Sequence, residues 1–170
     1  MPDLVRVKLT DSEKGPVETQ VPLSAAADLI VQTCILPVIR KKDAYIVVSG
    51  GRGVKSREGF RQVIALAGLL QADIGTSRAA LVSGFSERAF LVGCNGRTVV
   101  PDLYIACGIS GSPQHFYGMQ TSHIVLALTD DPTTPMYREA HFALISDLKV
   151  SLPVMDAAIR KALGLPPKED

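Results

Sequence analysis

The stretch Asp43-Ala44-Tyr45-Ile46-Val47-Val48-Ser49-Gly50-Gly51-Arg52-Gly53 decides the fold. Ala44–Val48 is a short, continuously apolar run, which suits a strand buried on both faces of a parallel sheet. It ends in a glycine-rich turn. Phe60, Val63, Ile64, Ala67 and Leu70 then recur at helical spacing, behind a Ser56 placed to cap that helix. Strand, tight turn and amphipathic helix in that order open a right-handed βαβ unit.

The same alternation continues toward the C-terminus. Ala72–Gly75 reads as a short strand running into Thr76-Ser77-Arg78. Ala89–Gly93, Leu103–Ala106, His123–Leu128 and Phe142–Ile145 read as further strands, each followed by small or acidic residues. The last helix is predicted to start near Ser151-Leu152-Pro153, with proline in its first turn, and to stop at Gly164. Toward the N-terminus, Leu4–Leu9 alternates apolar and polar residues like a half-buried strand. Asp11–Gln20, with Gly15-Pro16, reads as a turn or loop. Ser24 is a candidate cap for a short helix through Ala25–Thr33 that ends before Pro37. Residues 1–42 are thus expected to form a short N-terminal segment, and residues 43–170 the main domain. The predicted class is α/β: an open, mostly parallel sheet with helices on both faces. Ligands of such sheets sit beyond the C-terminal strand ends, where this chain places its glycines and small polar residues.

Composition excludes several function classes. The 170 residues carry 18 basic and 17 acidic side chains, a formal charge of +1, with no basic patch for nucleic acid or an anionic membrane. No apolar run approaches the roughly 20 residues that span a bilayer. Asp3, Asp11, Glu13 and Glu18 are unlike an organelle transit peptide. Cys34, Cys94 and Cys107 have no metal-site spacing, and two of them lie in apolar surroundings that suit reduced buried thiols. A cytoplasmic, reducing setting is expected.

Three loops can carry chemistry. In Ser49-Gly50-Gly51-Arg52-Gly53, glycines permit close backbone approach to a phosphate and Arg52 can grip it; the alternative is a tight turn with one surface arginine. Ser77-Arg78 puts a hydroxyl and a guanidinium at a strand end, which also describes a helix cap beside an exposed arginine. Gly108-Ile109-Ser110-Gly111-Ser112-Pro113-Gln114-His115 leads into a helix start. There His115 can donate to an oxygen bearing negative charge, or simply bond a nearby carbonyl. No zinc spacing, EF-hand loop or GxSxG elbow is present. His123 and His141 receive no role.

Val47–Ser56, Ser77-Arg78-Ala79-Ala80 and Pro101–Gly111, running on to Gln114-His115 and Gly118-Met119, together resemble the C-terminal FAD-binding domain of electron transfer flavoprotein α subunits. Asp131-Pro132, Pro135 and Asp147 continue the likeness in order, so that it covers residues 44–163. The resemblance implies a Rossmann-like domain of the DHS-like NAD/FAD-binding type. It assigns Arg52, Ser77 and Asp147 to the ADP and ribityl parts of FAD, with Gly51 and Gly53 beside Arg52. It puts Arg78 next to the isoalloxazine ring, and Ser110 and His115 at its border, the histidine at the flavin O2. Gly108, Ile109, Gly111 and Gln114 belong to the same loop and helix start. Leu91, Val92, Cys94, Asn95, Gly96 and Thr129 complete the implied FAD contacts.

Electron transfer flavoproteins are heterodimers that carry electrons from flavin dehydrogenases, notably acyl-CoA dehydrogenases, to an acceptor. The resemblance therefore implies FAD as cofactor, with a β subunit, a dehydrogenase and an acceptor as partners, and neither nucleic acid binding nor membrane insertion. The alternatives are a flavin-dependent enzyme reusing the domain, or a subunit that has lost its flavin. Cys94-Asn95-Gly96 stands where the family has Gln-Thr-Gly, replacing a hydroxyl near flavin N5 with an amide. Thr129 stands where it has Asn. Residues 1–42 cannot form the family's N-terminal domain and are expected to be either its last strand and linker or a replacement for it. The chain is expected to be either an excised domain or a shortened relative, and Met1 favours the latter.

Overall fold

A computed structural model describes residues 3–11 and 13–169; Met1, on which the shortened-relative expectation leans, lies outside them. The chain runs β1 (Leu4–Asp11), β2 (Gly15–Pro22), α1 (Leu23–Ile30), a π-helical turn (Val31–Ile35), α2 (Leu36–Ile39), β3 (Ile46–Gly50), α3 (Arg57–Leu69), β4 (Asp73–Thr76) and α4 (Arg78–Val82). It continues through β5 (Leu103–Cys107), α5 (Pro113–Tyr117), β6 (Ile124–Thr129), α6 (Pro135–Glu139), β7 (Phe142–Ile145) and α7 (Leu148–Leu163).

The strands form one seven-stranded sheet in the order β2-β1-β7-β6-β5-β3-β4. Strands β3 to β7 are parallel to one another, and β1 is antiparallel to both β7 and β2. Strand side chains alternate between two cores, as the pleat requires. Val48, Ile105, Cys107, Leu126 and Leu144 pack with Phe60, Leu66, Ile30 and Ile159 from α3, α1 and α7. Val47, Tyr104, Ala106, Ala127 and Ala143 face Val92, Val99, Met119 and Met136 on the opposite side. Helices therefore lie on both faces, but the long ones share one face. The other carries the short α5 and α6 and connecting loops.

Several local expectations change. The polar Asp11–Gln20 segment is mostly β2, hydrogen-bonded to β1 over the full register Leu4↔Pro22 to Asp11↔Gly15. Its exposed edge position has no apolar face for periodicity to reveal. Helix α1 begins at Leu23 after Pro22, so Ser24 is not its cap. The helical path also continues past Pro37, because the π-helical turn just before it loosens the ladder in which proline would clash. Ala89–Gly93 is not a strand: it holds a short 3₁₀ turn at Arg88–Phe90 and two single bridges, Thr76↔Leu91 and Val92↔Arg97. Helix α7 starts one turn earlier than predicted, with Asp147 as its cap, and Pro153 lies inside it. Residues 4–39 contribute Val7, Ile30, Cys34 and Val38 to the core shared with α3 and α7.

Strand β3 has β4 on one side and β5 on the other. The chain leaves β3 over one face to reach β4 and returns to β5, so the strand order reverses between β3 and β5. A crevice opens beyond the C-terminal ends of strands at such a reversal.

Candidate functional site

Two loops meet at that reversal. Gly51 N–H donates to the Cys107 carbonyl at 2.9 Å, and Gly53 N–H donates to the Gly108 carbonyl at 2.9 Å. A Cβ on Gly51 would stand 2.4 Å from the Gly108 oxygen, and one on Gly53 would stand 2.7 Å from Gly108 Cα. The close approach these glycines permit is thus first of all to the protein's own β5 loop. Gly108 itself has φ +66°, the left-handed region where glycine is at no disadvantage.

On one side of this junction lies a cavity of about 310 Å³ lined by Arg78, Leu91, Val92, Gly93, Cys94, Asn95, Ser112, Gln114 and His115. Seven of these nine are residues expected to touch FAD; Gly93 and Ser112 are additions. Backbone bonds hold its walls: Val92 N–H to Thr76 O at 3.0 Å, and Cys94 N–H to Gln114 O at 3.0 Å. Arg78 is the only charged residue lining it, and no carboxylate pairs with Arg78 among the described residues. The cavity therefore has a positive bias. Cys94 is a free, exposed thiol, whereas Cys34 and Cys107 are buried, and burial pushes both of their thiols up to about 12.

His115 is only 4% exposed, in the first turn of α5. Ser112 caps that helix by accepting from His115 N–H at 3.3 Å. The imidazole Nε2 lies 2.7 Å from the hydroxyl of Tyr104, and Nδ1 is buried without a hydrogen-bond partner. Burial lowers its pKa to about 4; the Val92 backbone favours the charged form but is outweighed. The ring is neutral at physiological pH.

On the other side of the junction is a cavity of about 320 Å³. Gly53, Lys55 and Ser56 line it from the β3 loop, and Asp147, Leu148 and Lys149 from the start of α7. Asp147 accepts from Lys149 N–H at 2.9 Å as the helix cap. Lys55 Nζ stands 3.9 Å from both Asp130 and Asp147, an exposed arrangement of small energetic value. Each cavity is at the small end of ligand pockets, roughly 300–1,000 Å³, and neither alone would take a dinucleotide. The segment from Gly108, packed against Leu148, to Ser112 joins them.

The remaining predicted residues sit between or beside the cavities. Arg52 is exposed in the β3 loop. Ser77 caps α4 by accepting from Ala80 N–H at 3.2 Å, which leaves its hydroxyl proton free to donate. Ile109 is buried in the second core, and exposed Ser110 accepts Met136 N–H on its carbonyl at 3.0 Å. Gly111 has φ +88°, and a Cβ there would meet Phe116 and Met136. Gly96 fits under the Leu91 carbonyl. Thr129, at the end of β6, accepts from Asp131 N–H at 3.1 Å, which leaves its own proton free to donate. Tyr104, Ser112 and Lys55 carried no functional expectation. For Tyr104 the available signal was a tyrosine inside a wholly buried strand, which needs a polar partner.

A further groove of about 780 Å³ runs between α3, α7 and the C-terminal tail, but it contains none of these residues. No described helix is long and apolar enough to cross a membrane, and no metal-holding cluster occurs among the described residues.

Comparison with known proteins agrees with the motifs. Residues 41–120 match the family model of the electron transfer flavoprotein FAD-binding domain. The electron transfer flavoprotein subunit alpha of Bacillus subtilis is 39% identical over 132 residues, covering 74% of this chain and 41% of that one. The Mycobacterium tuberculosis subunit alpha is 47% identical over 119 residues, covering 70% and 37%. Protein FixB of Clostridium saccharobutylicum is 39% identical over 141 residues, covering 79% and 42%. The chain spans less than half the length of these relatives. Among solved structures, the sugar isomerase domain of an RpiR transcription factor from Sphaerobacter thermophilus superposes with a TM-score of 0.45 at 14% identity. That match covers 82% of this chain and 77% of that one, and it is too loose to bear on function.

Proposed function

We propose, from the membership of residues 41–120 in the electron transfer flavoprotein FAD-binding domain family, that this chain binds FAD across the crevice and serves as the α-type half of an electron carrier. The observation that carries this reading is the cavity in which Arg78, Cys94-Asn95, Gln114 and His115 converge, with a buried, unpartnered Nδ1 on its histidine. A buried polar atom without a partner costs about 1–3 kcal/mol, which a ligand oxygen would relieve. Isoalloxazine fits this cavity chemically: apolar Leu91 and Val92 for the ring, and Arg78 and His115 for its oxygen-bearing edge. The cavity at Gly53 and Asp147, flanked by Lys55 and Lys149, is assigned to the ADP end.

Bound FAD supplies the electron storage. The protein's part is to hold the ring, exclude water and bias the charge around it. Arg78 favours a ring that gains negative charge on reduction, while neutral His115 offers a hydrogen bond without adding a full charge. Electrons come, on this reading, from a flavin dehydrogenase of the acyl-CoA dehydrogenase type and leave to an acceptor, with a β subunit completing the carrier. A cytoplasmic setting goes with it.

The test is the visible spectrum of the purified chain after incubation with FAD and removal of excess. A flavin band near one FAD per chain is expected. Absence of the band, with the chain folded and a β subunit supplied, overturns the reading.

A further inference from the structure

We propose that Tyr104 is a positioning residue for the ligand cavity: its phenol O–H donates to His115 Nε2, which fixes the imidazole proton on Nδ1 as the donor available to a bound flavin. The ligand half of this statement rests on the FAD reading above; the tautomer half does not.

Tyr104 lies on β5 with no solvent exposure, and its hydroxyl is 2.7 Å from Nε2. The rings stand edge to face, with centroids 6.0 Å apart and planes at 61°. Among the described residues Nε2 is the phenol's one well-formed hydrogen-bond partner; the Ser49 hydroxyl lies near enough to favour the phenolate but makes no well-formed bond with it. Two proton arrangements are possible. If Nε2–H donated to the phenol oxygen, the phenol proton would have only the Ser49 hydroxyl to turn to, with no well-formed bond there, and Nδ1 would present a lone pair on the side of the ring left unpartnered. If the phenol donates to Nε2, only Nδ1–H remains unmatched. Unmatched buried donors are the rarer and costlier defect, and the second arrangement places the phenol proton on an acceptor at 2.7 Å and leaves the imidazole N–H, not a lone pair, to the Val92 backbone that favours it. It also uses the more acidic O–H as donor and the more basic imidazole nitrogen as acceptor. Burial opposes ionisation of both rings, raising the phenol and lowering the imidazole, so both partners stay neutral and the bond is an ordinary one.

The Nδ1 atom is almost wholly covered, so the donor is poised behind the cavity wall rather than standing in water. A ligand carbonyl reaching it meets an N–H whose nearby competitor, the Val92 backbone, forms no well-aligned hydrogen bond with the ring. A histidine free to choose its tautomer would offer a bare lone pair part of the time, and that would repel the same oxygen.

Long-range ¹H–¹⁵N spectra of the full chain labelled with ¹⁵N-histidine test this. His115→Gln assigns the ring among the three histidines of the chain. At pH 7 wild-type His115 is expected to be neutral with its proton on Nδ1, and Tyr104→Phe is expected to populate the Nε2–H form. A wild-type ring carrying its proton on Nε2, or a spectrum unchanged in Tyr104→Phe, overturns the proposal. If Tyr104→Phe does not fold, the wild-type tautomer still decides. FAD is then titrated into both proteins: Tyr104→Phe should bind it about three- to tenfold more weakly, and the Nδ1 signal should move in the wild type. Normal FAD binding with the wrong tautomer sinks the role of Tyr104 and leaves the FAD reading intact. The expected tautomer without FAD binding does the reverse.

Discussion

The Gly53 N–H donates to the Gly108 carbonyl at 2.9 Å, which locks the loop after β3 to the loop after β5 at the strand-order reversal. No side chain intervenes, because a Cβ at Gly51 or Gly53 would occupy the space of the Gly108 backbone. The two cavities flank this junction, so its geometry sets their separation.

Gly51→Ala should therefore lower stability by about 1–3 kcal/mol, the usual cost of forcing a methyl into packed backbone. The comparison is Gly68→Ala, on the exposed side of α3 with nothing within 4 Å of its added Cβ. That change should be neutral or stabilise by up to about 1 kcal/mol, since alanine loses less entropy in a helix. Thermal melts of both variants check the pair. A Gly51→Ala protein as stable as the parent would mean that the junction yields easily.

Arg78 lines the cavity without a carboxylate partner, so its positive charge is available to a ligand. Arg78→Ala should make the midpoint potential of bound FAD more negative by roughly 20–40 mV, with Arg78→Lys in between. This corresponds to the loss of about one charge-assisted contact, discounted for exposure. Spectroelectrochemical titration measures it. An unchanged potential would remove Arg78 from the flavin's surroundings.

The strand–turn–helix alternation from Ala44 onward was legible because β3, β5, β6 and β7 are short apolar runs buried on both faces. It failed at Ala89–Gly93, where equally apolar residues cover the cavity instead of joining the sheet. It failed again at β2, which is a strand through hydrogen bonds to β1 and not through any buried face. The placing of Arg78 and His115 at one ligand came from the ordered motifs of the family resemblance, since each loop read by itself also described a plain helix start. Tyr104 did not, because its role depends on which way a β5 side chain points and on a helix 11 residues later turning back over it.

Lys8 ties the N-terminal strands to the site-bearing domain. It is 7% exposed, and its ammonium donates to the Tyr137 carbonyl at 2.8 Å and the Arg138 carbonyl at 3.2 Å, in α6, while lying 5.0 Å from the Tyr137 ring centroid. Lys8→Met keeps most of the apolar stem but leaves those carbonyls without their donor. A loss of about 1–3 kcal/mol is expected, or several degrees in Tm for a chain of this size. A melt that did not move would show that water replaces the ammonium without cost.

The buried imidazole of His115 gives stability a dependence on mild acid. Its pKa is about 4 in the fold and 6.5 as an ordinary histidine. Between those values the unfolded chain takes up a proton that the folded chain refuses, so acid favours unfolding there. The stability linked to His115 is thus complete above about pH 6.5, falls as pH drops toward 4, and changes no further below that. The full span is of the order of 3 kcal/mol. Tm measured from pH 7 down to pH 4.5 should fall more steeply in the parent than in His115→Gln, which cannot take up that proton. Carboxylates common to both proteins cancel in the difference. Parallel curves would mean that His115 protonates in the folded chain as readily as in the unfolded one, and that the neutral donor at the cavity wall does not exist.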